Sequence, residues 1–170
     1  LEIVELCFDF VNQGENAVLF PREEDVGVGV EVGAQKALLP ADAAGVGLVI
    51  YPKDGTAGLT TVARRSAAGA AEILPVIEAT NLARVLRQLK ERGIWLAGTS
   101  DSTDRDIHET DLRGPLALVM GSEGKGMRRL TSELCDYLVR IPMQGTVSSL
   151  NVSVATGVCL FEIARQRNAP

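Results

Sequence analysis

From residue 46 onward the chain alternates short apolar runs with longer segments of helical period. Val46 to Tyr51 is a continuous apolar run closed by Pro52, and it predicts a strand. Residues 56–72 are rich in alanine and read as helix; Ile73 to Glu78 reads as strand. Thr80 can cap a helix whose apolar positions Leu82, Val85, Leu86 and Leu89 fall at i, i+3, i+4 and i+7, and Gly93 ends it. Ile94 to Gly98 predicts a strand, and residues 100–114 a polar loop rich in Asp, Ser and Thr. Then follow a strand over Leu116 to Met120, a short helix over Lys125 to Cys135 and a strand over Tyr137 to Ile141. A long helix runs from Asn151 to Arg167. Continuous apolar strands are buried on both faces, and strands alternating with helices pair in parallel. The expectation is an α/β domain: a mostly parallel sheet with helices on both faces, one unit over residues 1–170.

Composition narrows this picture. At 170 residues the chain can bury a full core, and 46% hydrophobic residues argue against disorder. Aromatics are only 4%, so packing rests on Ala, Val, Leu and Ile. Cys7, Cys135 and Cys159 are far apart and form no Cys-x-x-Cys or Cys/His cluster, so neither a zinc site nor a disulfide framework is expected. No metal is expected, and no apolar run reaches membrane-spanning length. A net charge of −5 argues against a grip on nucleic acid by overall charge, although basic residues cluster locally, as at Arg128-Arg129. His108 has no nucleophile at a telling spacing and reads as a surface histidine.

Candidate chemistry lies at two strand ends. The strand 116–120 runs into the glycine-rich turn Gly121-Ser122-Glu123-Gly124-Lys125-Gly126. The next strand ends at Ile141-Pro142 and releases a loop of small and polar residues, Gln144 to Asn151. Such loops build ligand sites beyond the carboxyl edge of an α/β sheet. The bland readings are a tight turn for the glycines and a helix N-cap for Asn151 or its neighbouring serines. Two other motifs fail. Met127 stands where a phosphate-binding loop needs its lysine. Gly27-Val28-Gly29 with Gly33 misses the dinucleotide spacing by one residue, and the pattern gives no clear strand and helix to frame it.

Four segments carry a resemblance: ADAAGVGLVIYPKDG at 41–55, NLARVLRQLKERGIWLAGT at 81–99, VMGSEGKGM at 119–127 and IPMQGTVSSLNVSVATG at 141–157. They resemble the SpoU, or TrmH-like, ribose 2′-O-methyltransferases of the SPOUT superfamily, and among these the bacterial enzymes acting on a guanosine of 23S ribosomal RNA. The resemblance implies a deep C-terminal trefoil knot, S-adenosylmethionine as cofactor, a homodimer and a cytoplasmic setting. By resemblance Gly121 lies against the cofactor, Ile141, Met143 and Leu150 wrap its adenine, and Thr99 faces the same pocket. Glu123 matches a glutamate that orders the site, and Ser149 and Asn151 match the polar pair beside the reacting hydroxyl. Arg128 and Arg129 are candidate RNA contacts. The last helix supports a dimer from its own pattern, because Val152, Val154, Ala155, Val158, Leu160, Phe161 and Ile163 surround more than one face.

Residues 1–40 depart from the family pattern. Relatives place an Asn, a Gly and an Arg just before the segment matching 41–45, and this chain has Gly33, Gln35 and Leu39 there. The family arginine acts on the target hydroxyl; Arg22, in Pro21-Arg22-Glu23-Glu24-Asp25, reads only as a charged turn. The RNA-binding domain that precedes the catalytic one in relatives is expected to be absent from this chain. Transfer RNA is the alternative substrate within the class. A non-catalytic protein that binds cofactor or RNA is the alternative outside it, and a nucleotide-dependent oxidoreductase is disfavoured by the failed fingerprint.

Overall fold

The computed structural model describes residues 26–30, 34–53, 74–121 and 126–169. Among the described residues six strands form one sheet: β1 (Val26–Val30), β2 (Leu48–Pro52), β3 (Val76–Ala79), β4 (Trp95–Thr99), β5 (Leu116–Met120) and β6 (Tyr137–Val139), in the order β3-β2-β1-β5-β4-β6. Every pairing is parallel. The helices are α1 (Ala34–Ala43), α2 (Leu82–Glu91), α3 (Arg129–Leu134) and α4 (Val152–Asn168), with a 3₁₀ turn at Ile107–Glu109. None of the described helices is long and apolar enough to cross a membrane.

The sheet is buried on both sides, as its continuous apolar strands require. Leu116, Leu118 and Met120 of β5 join one core with Leu38 of α1 and Leu160 and Ile163 of α4. Ala117 and Val119 join the other with Leu82, Val85, Leu86 and Leu89 of α2. The period-2 alternation of a strand thus divides five consecutive buried residues between two cores.

Several boundaries differ from the sequence reading. Asn81, not Thr80, caps α2; its Oδ1 accepts a hydrogen bond from the Arg84 amide at 3.0 Å. Gly93 ends that helix with a φ of 80°, as expected. Helix α3 starts at Arg129 rather than Lys125, because Gly126 takes a φ of 67° and breaks the turn before it. Strand β6 ends at Val139 rather than Ile141, because Arg140 bridges to Asp106 outside the sheet. The glycine pair Gly27 and Gly29 is framed by a strand and a helix after all, β1 and α1, and β1 lies inside the sheet between β2 and β5. That correction follows from long-range pairing, which glycine-rich local sequence does not signal. The helix expected over 56–72, the turn around Arg22, Gly33 and Cys7 lie outside the described residues.

One crossing sets the rest. The Ser100 amide, continuing β4, donates to the Val139 carbonyl at 2.9 Å. Successive residues of a strand direct their backbone groups to opposite edges, and Arg140 turns to the other side. Its amide donates to the Arg105 carbonyl at 2.9 Å, and its carbonyl accepts from the Ile107 amide at 3.0 Å. The end of β6 therefore leaves the sheet between β4 and the connection that follows β4. A side-chain stack fastens that connection: Arg105 lies over Tyr137, 5.3 Å from the ring centroid, and Tyr137 stacks on Trp95 with centroids 5.3 Å apart.

Helix α4 carries a buried charge. Glu162 is within an apolar face that includes Cys159, whose thiol burial pushes up to about 12, and Ile163. A buried carboxylate is costly unless it is fully hydrogen-bonded. Arg165 grips Glu162 through Nε at 2.9 Å and Nη2 at 2.8 Å. Gln166 Nε2 donates to it at 2.9 Å, and His108 Nδ1 lies 3.1 Å away. His108 is half exposed, as read from sequence, but it has this partner. The Arg165 hydrogen bonds, followed by those from Gln166 and His108, outweigh burial and hold the Glu162 carboxyl at about 2, below its ordinary 4.5. A depressed acid stabilises fully above its unfolded value and loses that contribution as pH falls through its folded one. Glu162→Gln is expected to lower stability at pH 7 by up to about 3 kcal/mol. It should also flatten the loss of stability between pH 4.5 and about 2 in acid unfolding followed by circular dichroism. Parallel curves for the two proteins would contradict the assignment.

Candidate functional site

Three neighbouring strands, β4, β5 and β6, end at Thr99, Met120 and Val139. The loops leaving them surround a cavity of about 860 Å³. Its wall includes Thr99, Gly121, Ile141, Met143, Ser149, Leu150 and Asn151, which the sequence reading had assigned to one site. Arg129 lines the rim. Arg128 precedes α3 as its N-cap residue and is not part of the wall. Glu123 lies outside the described residues.

The glycines are there because backbone must come close. A Cβ on Gly121 would lie 2.5 Å from both the Gly126 carbonyl carbon and the Met127 amide. The chain therefore returns onto Gly121, and only a residue without a side chain permits it. Gly98, one strand away, makes room for side chains rather than backbone. A Cβ there would meet Met127 Cε at 2.6 Å and Cys135 Sγ at 2.7 Å. Met127 thus packs onto the floor of β4 and anchors the end of the glycine-rich turn.

The wall mixes polar groups with half-buried apolar ones. Ile141, Met143 and Leu150 are half-buried, in a stretch without regular secondary structure between β6 and α4. Backbone amides and carbonyls there are available to the edge of a flat heterocycle. Asn151 caps α4, its Oδ1 accepting from the Val154 amide at 3.0 Å. The capping reading is correct, and it coexists with a place in the cavity wall, since the side-chain NH₂ is not used by the cap. Arg129 forms an ion pair with Glu133 at 2.7 Å, both exposed on the rim.

Sequence reasoning missed part of the wall. Ser100, Asp101 and Ser102 line it from the β4 end, the two serine hydroxyls 2.8 Å apart. Arg140 lines it too, its guanidinium 3.7 Å from the exposed Asp104. The polar character of 100–114 was the available signal. Its approach to residues 138–141 depends on the crossing, which sequence pattern does not reveal.

The glycine geometry is testable. Gly121→Ala must displace backbone rather than a flexible side chain, so it is expected to cost about 1–3 kcal/mol in thermal or denaturant unfolding. Gly145→Ala, where nothing lies within 4 Å of the added Cβ, should stay within about 0.5 kcal/mol of the parent. Equal effects at the two positions would contradict the close approach.

The model of the SpoU rRNA Methylase family matches residues 40–161. The 23S rRNA (guanosine-2′-O-)-methyltransferase RlmB of Pseudomonas putida is 60% identical over 130 residues, covering 76% of this chain and 52% of the relative. The protein of that name from Pasteurella multocida is 62% identical over 133 residues, covering 78% and 54%. The chain spans about half the length of these curated relatives. The SpoU methyltransferase AviRb from Streptomyces viridochromogenes, solved with the cofactor AdoMet, has a TM-score of 0.78 at 30% identity, over 86% of this chain and 62% of that one. An AdoMet-bound rRNA methyltransferase from Sinorhizobium meliloti has a TM-score of 0.78 at 27% identity, over 88% and 59%. A family model spanning most of the chain, relatives at this identity and a shared fold lead to one conclusion: the chain belongs to the SpoU rRNA methylase family.

Proposed function

We propose that this chain is the catalytic part of an S-adenosylmethionine-dependent ribose 2′-O-methyltransferase acting on a guanosine of 23S ribosomal RNA, in the cytoplasm. The observation that carries this reading is the meeting of Thr99, Gly121, Ile141, Met143, Leu150, Ser149 and Asn151 around one cavity. The relatives' names and the AdoMet-bound neighbours support the substrate and the cofactor. The residues fit such a group. The return of Gly126–Met127 onto Gly121 closes that part of the wall with backbone, and half-buried Ile141, Met143 and Leu150 offer an apolar bed with polar backbone edges.

When bound, the cofactor supplies an electrophilic sulfonium methyl group. The protein has three tasks: holding that methyl in line, aligning the ribose hydroxyl and managing its proton. Ile141, Met143 and Leu150 take the adenine, and Thr99 closes the same side. Ser149 and the Asn151 amide orient the hydroxyl; neither is a base, because an amide does not titrate and a serine is too weakly basic. Glu123 orders the site, and Arg128 and Arg129 meet the RNA backbone. The crossing of residues 138–140 between β4 and residues 105–107 supports threading of the chain into the family's trefoil knot. A homodimer is supported by exposed Val154 and Phe161, one face of α4 seven residues apart, which bury on association. Residues 1–40 belong in this reading to the same domain.

A second reading rests on Leu39. It stands at the family's arginine position, is half exposed on α1 and is not part of the cavity wall. In this reading the developing alkoxide lacks the cation that the family's arginine position supplies. Loss of such a group costs about 10²–10³ in rate. The chain is then a cofactor-binding protein with little or no transfer.

Both readings expect S-adenosylhomocysteine to bind and to raise the unfolding temperature, since a ligand of the folded state stabilises it. No heat and no shift at millimolar ligand would contradict both. Tritium transfer from labelled cofactor into ribosomal RNA separates them. Under the second reading the chain is about 10²–10³-fold slower than a chimera whose residues 1–40 carry the family's Asn, Gly and Arg. Equal rates would show that another group replaces the arginine. For the dimer, light scattering at high micromolar concentration is expected to give twice the chain mass, and Phe161→Glu a monomer.

A further inference from the structure

Glu162 and Gln166 have no part in the cavity wall, and neither does the segment they hold. Gln166 spends its whole amide on the connection after β4. Its Oε1 accepts from the Leu112 amide at 2.9 Å. Its Nε2 donates to the Thr110 carbonyl at 3.0 Å and lies 3.4 Å from the Ile107 carbonyl. The same nitrogen meets Glu162 at 2.9 Å, and Glu162 in turn faces His108 of the 3₁₀ turn. Backbone groups of residues 107–112 thus find side-chain partners at the last turns of α4. Ile107 and Leu112 are fully buried there.

The other side of this connection holds the cavity. Ser100, Asp101 and Ser102 belong to its wall, and Arg105 and Ile107 bond the backbone of Arg140, one residue before Ile141. Residues 138–166 therefore form a frame fastened at both ends to one loop. Near its beginning, 105–107 grips Arg140; near its end, Gln166 and Glu162 grip 107–112. Ile141, Met143, Leu150 and Asn151 all lie between the two fastenings.

We infer that Gln166 and Glu162 are positioning residues for the ligand cavity, a latch at the far end of α4 that keeps the loop after β4 in register with the wall it supports. The latch adds to the proposed function and rests on the reading of the cavity as the cofactor site. A loosened latch makes the bound arrangement one of several, and the apparent affinity falls by the fraction that remains competent. Coupling is reciprocal: what the latch does for the ligand, the ligand does for the latch.

The test uses the full chain with Gln166→Met, which keeps the length of the side chain and removes its hydrogen bonds, and S-adenosylhomocysteine as the probe. Calorimetry on folded protein is expected to show Kd raised about fivefold or more with the number of sites unchanged. A variant that is merely partly unfolded would lose sites and keep its Kd, and that result overturns the inference. Hydrogen exchange adds the reciprocal reading. Saturating ligand is expected to slow exchange of the Leu112 amide in the parent chain, although Leu112 does not line the cavity. In Gln166→Met that amide is expected to exchange faster while amides of β5 are unchanged. If Gln166→Met does not fold, the parent chain carries the test: exchange of the Leu112 amide that saturating ligand leaves unchanged overturns the latch. A parent chain that binds with a variant of equal Kd overturns the latch alone. A parent chain that binds nothing overturns the cofactor reading and the latch with it.

Discussion

The backbone of residues 138–140 is bonded on both edges, and the site depends on that grip. On one edge the Ser100 amide takes the Val139 carbonyl; on the other, Arg105 and Ile107 take both polar groups of Arg140. An isolated three-residue edge strand would be marginal. Held from two directions, it delivers Ile141 to the mouth of β4 and β5 with little freedom. The irregular stretch from Ile141 to Leu150 then spans a fixed gap between β6 and α4: Ile141, Met143 and Leu150 stay half-buried at its ends, and Gln144 to Ser149 are exposed between them.

The sheet beneath supplies stiffness. Strand β5 is covered on both faces and paired on both edges, so Met120 ends on a rigid base. From that base Gly121 can tolerate the return of the Gly126–Met127 backbone. Gly98 lets Met127 and Cys135 seat on β4 by the same device. Glycine weakens a strand, and the positions chosen are the ones where close approach returns the loss as shape.

The regular frame was legible in the sequence, the couplings were not. Leu116 to Met120 and the face Leu82, Val85, Leu86 and Leu89 fell where period and punctuation put them, because burial on two faces or on one leaves a clear pattern. Strand β1 escaped notice because Gly27 and Gly29 have little strand preference and are held by pairing with residues far along the chain. Helix α1 was obscured by Pro40 within it. The wall residues Thr99, Gly121, Ile141, Met143, Leu150, Ser149 and Asn151 were legible through motifs, whereas Ser100 to Ser102 and Arg140 reach the cavity only through the crossing. Glu162 and Gln166 looked like ordinary polar positions of a helix end. Nothing local announces that their partners lie more than fifty positions earlier in the chain.

A crystal structure of the chain with S-adenosylhomocysteine tests the central claim most directly. The adenine is expected against the backbone of Ile141, Met143 and Leu150, the sulfur directed toward Ser149 and Asn151, and residues 138–140 still held between Ser100 and Arg105. A ligand seated elsewhere, or a β6 exit that runs free of residues 105–107, would contradict it.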